Sequence, residues 1–171
     1  MKTGSATETA NCILEKDTIN RKLRRMALQI AEDNIEEKEL IIAGIAGNGD
    51  IVAQNLVNQL KSVTDIPLQI VSIKLNKKDP LNPVLQPGIA TEGKTVILVD
   101  DVANTGKTML FALKAFLNTY PKKIQTLVLV ERSHKLFPVQ SDYVGLSLAT
   151  TLQDHIYVEV EGDQILRACL T

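Results

Sequence analysis

Apolar positions change their spacing several times along the chain, and each change predicts an element. Ile19, Leu23, Met26, Ala27 and Ile30 fall on one face of a 3.6-residue period, which predicts an amphipathic helix over 17–34. Asp17 or Thr18 is placed to cap it, and Arg21, Lys22, Arg24 and Arg25 occupy the opposite side. The acids Glu36, Glu37 and Glu39 close this region. Residues 40–45 are continuously apolar and predict a buried strand, broken by Gly47-Asn48-Gly49. A second amphipathic helix starts near Asp50, with Ile51, Val52, Leu56, Val57 and Leu60 inward. Residues 67–75 alternate and predict a strand. Residues 76–94 are polar and carry Pro80, Pro83, Pro87, Gly88 and Gly93. A loop of that length inside a compact domain is a candidate functional loop. Strands are predicted over 95–99 and 124–130, with a loop over 100–108 and a helix over 107–120 between them. Shorter strands are predicted at 143–148 and 156–160, followed by a turn at Gly162-Asp163. The expected organisation is a polar tail over 1–16 and a single domain over 17–171.

Strands alternate with helices from Leu40 to Val130, so the expected fold class is α/β: a mostly parallel sheet flanked by helices on both faces. In such sheets ligands bind beyond the carboxyl ends of the strands. Two loops of unusual chemistry fall at such ends, 46–50 and 100–108.

Composition narrows the function classes. The 171 residues carry 19 Lys+Arg against 20 Asp+Glu, a formal charge of −1, which rules out a basic coat over the whole protein. Hydrophobic residues at 44% and charged residues at 23% exclude global disorder. Aromatics are 4% and Trp is absent, so stacking platforms for single-stranded nucleic acid are poor. No apolar run reaches membrane-spanning length and residues 1–11 have no secretory h-region, so a cytoplasmic protein is expected. Cys12 and Cys169 lie near opposite ends of the chain and are expected as reduced thiols. His134 and His155 give no zinc spacing with them.

The segment VILVDDVANTGKT at 96–108 carries the most chemistry. It reads as a buried strand, two carboxylates, and a small-residue turn opening a helix. The turn from Asn104 to Thr108 offers successive backbone N–H groups, an anion cradle suited to phosphate. Thr105 and Thr108 add hydroxyl donors. Asp100 and Asp101 would repel a phosphate in that cradle, so they fit a neighbouring group that wants acceptors, such as ribose hydroxyls or bound Mg²⁺. A nucleoside-triphosphate P-loop would need a glycine five positions before Gly106, where Asp101 stands. A dinucleotide-binding turn at Gly47-x-Gly49 would need a third glycine where Val52 stands.

This segment closely resembles the phosphoribosyl-diphosphate (PRPP) motif of the type I phosphoribosyltransferases: four apolar residues, two acids, and a loop ending T-G-x-T. The order of elements fits that family from the first helix to Val160. Within it the chain is most similar to the pyrimidine-operon attenuation regulators, which also have uracil phosphoribosyltransferase activity. VLVERSHKLFP at 128–138 looks like their V-L-V-D-R-G-H-R-E-L-P, and SDYVG at 141–145 like their P-D-Y-V-G. The resemblance implies a Rossmann-like core with a small C-terminal base-binding hood. It also implies transfer of ribose 5-phosphate from PRPP to a nucleobase, with uracil favoured and pyrophosphate released.

The same resemblance assigns roles. Asp100 and Asp101 would be the catalytic pair at the ribose hydroxyls, with Ala103, Asn104, Thr105, Gly106, Lys107 and Thr108 around the 5′-phosphate. Ala46, Gly47, Asn48 and Gly49 would form the pyrophosphate loop, joined by Lys77 from the long loop acting as a mobile lid. The family often has a Lys or Arg in the pyrophosphate loop; this chain has none there, and adds Asp50. Glu131, Arg132, Val144 and Gly145 would line the base pocket. Mg²⁺ is implied through PRPP rather than by direct protein ligation, with Asp100 or Asp101 the candidates for any protein ligand, and a homo-oligomer, commonly a dimer, is expected. Purine-salvage relatives carry an acid at position 104 and a Lys at position 140; Asn104 and Gln140 stand here, which favours a pyrimidine. The alternative reading is a PRPP- or nucleotide-responsive regulator that binds RNA through the basic side of the first helix, with weak or no transferase activity.

Overall fold

The computed structural model describes residues 11–151 and 153–171. The elements run β1 (Asn11–Glu15), α1 (Lys16–Asp33), β2 (Leu40–Ile45), α2 (Asn48–Leu60), β3 (Leu68–Lys74), β4 (Val84–Leu85), β5 (Thr95–Ala103) and α3 (Lys107–Leu113). A single 3₁₀ turn (Lys114–Phe116) follows, then β6 (Lys123–Arg132), β7 (Tyr143–Leu148), β8 (Ile156–Glu161) and β9 (Gln164–Leu170).

Six strands form one sheet in the order β4-β3-β2-β5-β6-β7. Every pair is parallel except β3 with the two-residue edge strand β4. The apolar runs are double-sided, as a buried parallel sheet requires. Leu40, Ile42, Ile97, Val99, Leu127 and Leu129 point to one face, where they pack with Ile19, Leu23 and Met26 of α1 and Val52 and Leu56 of α2. Ile41, Ala43, Val96, Leu98 and Val128 point to the other, under Met109 and Ala112 of α3 and Phe116. Helices therefore cover both faces of a mostly parallel sheet, as the alternating pattern predicts.

Four departures from the sequence reading matter. First, the tail expected over 1–16 ends earlier: Asn11–Glu15 is strand β1 and Lys16 opens α1, while residues 1–10 lie outside the described residues. Second, the hood is not purely C-terminal. A separate antiparallel sheet in the order β1-β9-β8 joins both ends of the chain, and Leu14, Ile156, Val158, Ile165 and Ala168 seal it onto the main core. β9 pairs with β1 on one side and β8 on the other, so its main-chain groups are satisfied on both edges. Third, α3 stops at Leu113 rather than running to 120, and tightens into a 3₁₀ turn that buries Phe116. Fourth, β5 continues through both aspartates to Ala103, because β6 pairs with it as far as Glu131. Lateral hydrogen bonding in the sheet overrides the poor strand propensity of two adjacent aspartates.

Candidate active site

β2 and β5 are neighbours, so their carboxyl ends bring loop 46–50 and the end of β5 together. A cavity of about 270 Å³ opens there. Its walls include Asn48, Lys77, Asp100, Asp101, Ala103, Asn104, Thr105, Gly106 and Thr108, with His155, Ile156, Tyr157 and Val158 from the hood side.

The two aspartates are buried at 2% and 8% exposure, yet both face the cavity. One Asp100 oxygen accepts from the Asp101 backbone N–H at 2.9 Å. Asp101 Oδ1 accepts from the Val102 N–H at 2.9 Å, and its Oδ2 accepts from Asn48 Nδ2 at 2.9 Å. Lys77 Nζ lies 3.7 Å from Asp100 Oδ1 and 3.9 Å from Asp101 Oδ1, and it is the only Lys or Arg among the residues on the cavity wall. Burial first, and then the neighbouring Asp101 charge, push the Asp100 carboxyl up to about 8; Lys77 acts in the opposite direction.

The turn after β5 is held in a defined conformation. Gly106 takes φ 81°, a left-handed conformation that costs a residue with a Cβ about 1–2 kcal/mol, and immediately precedes α3. Lys107 N–H donates to Thr105 Oγ1 at 3.2 Å. The loop of residues 133–139 braces the turn from behind: the Leu136 and Phe137 N–H groups both donate to the Thr105 carbonyl at 3.0 Å. The Lys107 side chain is not on the cavity wall.

The pyrophosphate-loop assignment divides. Asn48 reaches the cavity; Ala46, Gly47 and Gly49 do not line it. Asp50, whose charge would oppose a pyrophosphate, turns away and accepts from Ser72 Oγ of β3 at 2.9 Å. Burial raises its carboxyl above the ordinary range.

The residues assigned to the base pocket separate further. Val144 and Gly145 lie within β7 and line no part of the cavity. Their carbonyls accept from Arg25 Nη2 of α1 at 2.7 and 3.3 Å. Gly145 is demanded by packing, since a Cβ there would sit 2.2 Å from the Leu129 carbonyl oxygen. Glu131 pairs with Lys135 at 3.0 Å beside an adjoining groove. Arg132 is buried and braces a different loop. Its Nη1 donates to the Thr151 carbonyl at 2.8 Å, its Nη2 donates to the Asp154 carbonyl, and Nη2 also lies 3.4 Å from Asn104 Oδ1. Asn104 Nδ2 in turn donates to the Ile156 carbonyl at 3.3 Å. Arg132 thus reaches the cavity through Asn104 rather than directly. Ile156, Tyr157 and Val158 carry no local signal of a site beyond that of an apolar strand after a loop.

A buried acidic pair and a braced glycine turn thus meet around one cavity at a parallel strand end. The phosphoribosyl transferase domain family matches residues 10–162, and the chain belongs to that family. It is a phosphoribosyltransferase. More particularly, it is 34% identical over 158 residues to the bifunctional protein PyrR of Enterococcus faecalis OG1RF, covering 87% of this chain and 89% of that one. It is likewise 34% identical over 165 residues to the bifunctional protein PyrR of Pelotomaculum thermopropionicum, covering 89% and 91%. Among solved structures, the hypoxanthine phosphoribosyltransferase of Trypanosoma cruzi superposes with a TM-score of 0.76 at 17% identity, over 92% of this chain and 95% of that one. A Bacillus anthracis hypoxanthine-guanine phosphoribosyltransferase gives 0.69 at 20% identity, over 81% and 82%. At such identities these two structures speak for the fold alone.

Proposed function

We propose that the protein transfers ribose 5-phosphate from PRPP to uracil with release of pyrophosphate. The observation that carries this is the convergence of Asp100, Asp101 and the 103–108 turn in one cavity. In this reading the backbone N–H groups of the turn, with Thr105 and Thr108, hold the 5′-phosphate. Asp100 and Asp101 accept from the ribose hydroxyls and stabilise the positive charge that develops at the anomeric carbon. Lys77 is the cation available to the departing pyrophosphate. The site works by holding reactants in line and by excluding water as the 76–94 loop covers it.

Asp101, with Asp100 once it gives up its proton, offers a pair of carboxylates that suits a hard divalent cation. No cluster of three or more His, Cys, Asp or Glu is present among the described residues, so the protein would supply only Asp100 and Asp101 as ligands, the remainder coming from PRPP oxygens. Mg²⁺ bound there would neutralise pyrophosphate charge. Asn104 cannot act as a general acid near neutral pH, which supports a pyrimidine over a purine acceptor. Glu131, Val144 and Gly145 have no place on the cavity wall in this reading, and the Asn104 amide with Ile156, Tyr157 and Val158 takes the base. By family resemblance the protein works as a homodimer.

The test is pyrophosphate release from PRPP and Mg²⁺ with uracil, orotate, hypoxanthine, guanine, adenine and xanthine in turn. Turnover with uracil, lost in Asp101→Asn, is expected. Turnover with a purine alone would overturn the choice of base.

A second reading rests on the relatives' designation as bifunctional and on α1, where Arg21, Arg24 and Arg25 are exposed. These side chains could contact RNA phosphates. RNA affinity that falls steeply with salt, and falls further in Arg21→Ala/Arg24→Ala, would support it.

A further inference from the structure

The two cysteines are 157 positions apart in sequence and adjacent in the fold. Cys12 of β1 is the register partner of Cys169 of β9, and their Sγ atoms stand 2.6 Å apart as free thiols. Register partners on antiparallel strands have Cα atoms about 4.5–5.5 Å apart. A disulfide spans about 4.4–6.8 Å between Cα atoms, so the register pairing of Cys12 with Cys169, just before the irregularity between Cys12 and Leu14, falls within its reach. Cys169 is fully buried and Cys12 is half-buried, which makes Cys12 the thiol that a reagent in solution meets first. The row continues one strand further. Tyr157 of β8 is the register partner of Cys169, and Ile156, Tyr157 and Val158 belong to the cavity wall.

We propose that Cys12 and Cys169 are a modification site: they form an internal disulfide with a small-molecule disulfide, such as oxidised glutathione, as the oxidant. The bond ties the first described strand to the last, in the sheet that walls the active site. The exchange balances in two steps. The Cys12 thiolate attacks one sulfur of the oxidant, forming a mixed disulfide and releasing one thiol. The Cys169 thiolate then attacks Cys12 Sγ, forming the internal bond and releasing the second thiol. The protein gives up two electrons and two protons, and the oxidant takes up both. Excess small thiol reverses the sequence. The chain has only these two cysteines, so no other internal pairing competes. β1 is an edge strand of five residues. Because the bond closes nearly the whole chain into one loop, it restricts the unfolded state strongly.

The experiment equilibrates the full chain in glutathione buffers of increasing oxidised fraction. Thiols are then counted under denaturing conditions, with intact mass and a non-reducing gel alongside. Both thiols are expected to disappear together, the mass to fall by two hydrogens, and the protein to run as a monomer. The melting temperature should rise by ~5 °C or more. Amide exchange should slow in residues 11–15 and in 156–158, and reductant should undo every change. In Cys12→Ser and in Cys169→Ala, each melting like the reduced parent to within a few degrees, oxidant should produce none of these shifts. Thiols that persist across the whole series, a stable glutathione adduct on Cys12, or disulfide-linked dimers would each overturn the site. An internal bond that leaves exchange at 156–158 unchanged would overturn its effect on the cavity wall.

Discussion

Asn48 and Asp101 lie 53 positions apart and are joined by a 2.9 Å hydrogen bond from Nδ2 to Oδ2. The same Nδ2 donates to the Val158 carbonyl at 3.0 Å. One amide therefore ties the start of α2, the carboxylate on β5 and the hood strand β8 around a single cavity. Asn48→Ala frees one Asp101 oxygen and loosens both contacts. We expect kcat/KM for PRPP to fall about 10- to 100-fold, as for groups that orient a catalytic side chain. Thermal melting of the variant separates this from unfolding: the midpoint should move by only a few degrees.

Lys77 is the cavity's only Lys or Arg, and its side chain is about half exposed. An ion pair so open to water contributes at most about 1 kcal/mol to folding. Lys77→Ala should thus leave the melting temperature almost unchanged. Its effect should appear in substrate affinity, with KM for PRPP raised on the order of tenfold. Steady-state kinetics over a PRPP series checks this, and an unchanged KM would remove Lys77 from the pyrophosphate site.

The Asp100 carboxyl is held up near 8 in the folded protein, against a reference value of 3.8. Between those values the folded state keeps a proton that the unfolded chain has released. The contribution of this group to stability is therefore full at low pH and declines as pH rises from about 4 to about 8. Asp100→Asn removes the titration. Its unfolding free energy should gain on the parent's as pH climbs through that window, by a few kcal/mol at most, with the melting temperature rising in step. Calorimetry at several pH values without divalent cations checks the sign. An advantage that shrinks with rising pH would contradict the buried, proton-holding assignment.

Gly145 faces the Leu129 carbonyl, where an added Cβ would lie at 2.2 Å. β7 could admit it only by moving away from β6, breaking parallel ladder bonds at the sheet edge. Gly145→Ala should lose about 3–5 kcal/mol of stability, read from the urea midpoint. A variant with parental stability and a raised KM for the base would return Gly145 to the base pocket.

Much of this architecture was legible in the chain. The five apolar positions assigned to the first helix, Ile19, Leu23, Met26, Ala27 and Ile30, are the residues buried on α1. The run from Leu40 to Ile45 is buried throughout. Local periodicity records which face of an element must leave water, and that information survives folding unchanged. The 96–108 segment likewise carries its chemistry locally, since a strand, two acids and a glycine turn are contiguous.

Tertiary structure decided which partner each of these residues meets. Nothing near Asn48 in sequence points to Asp101 or Val158. Nothing near Arg132 shows that its guanidinium turns toward the Thr151 and Asp154 carbonyls, and nothing near Gly145 marks the close approach of Leu129. Strands β1 and β9 carry no clear local signal, because neither has a continuous apolar run of its own. They become strands by pairing with each other, and that pairing brings Cys12 to Cys169. The sequence by itself determined the alternating elements of the main sheet, their buried faces and the family. The geometry of the site was decided by long-range strand pairing, because hydrogen bonds and sheet contacts between distant segments leave no periodic trace in the chain.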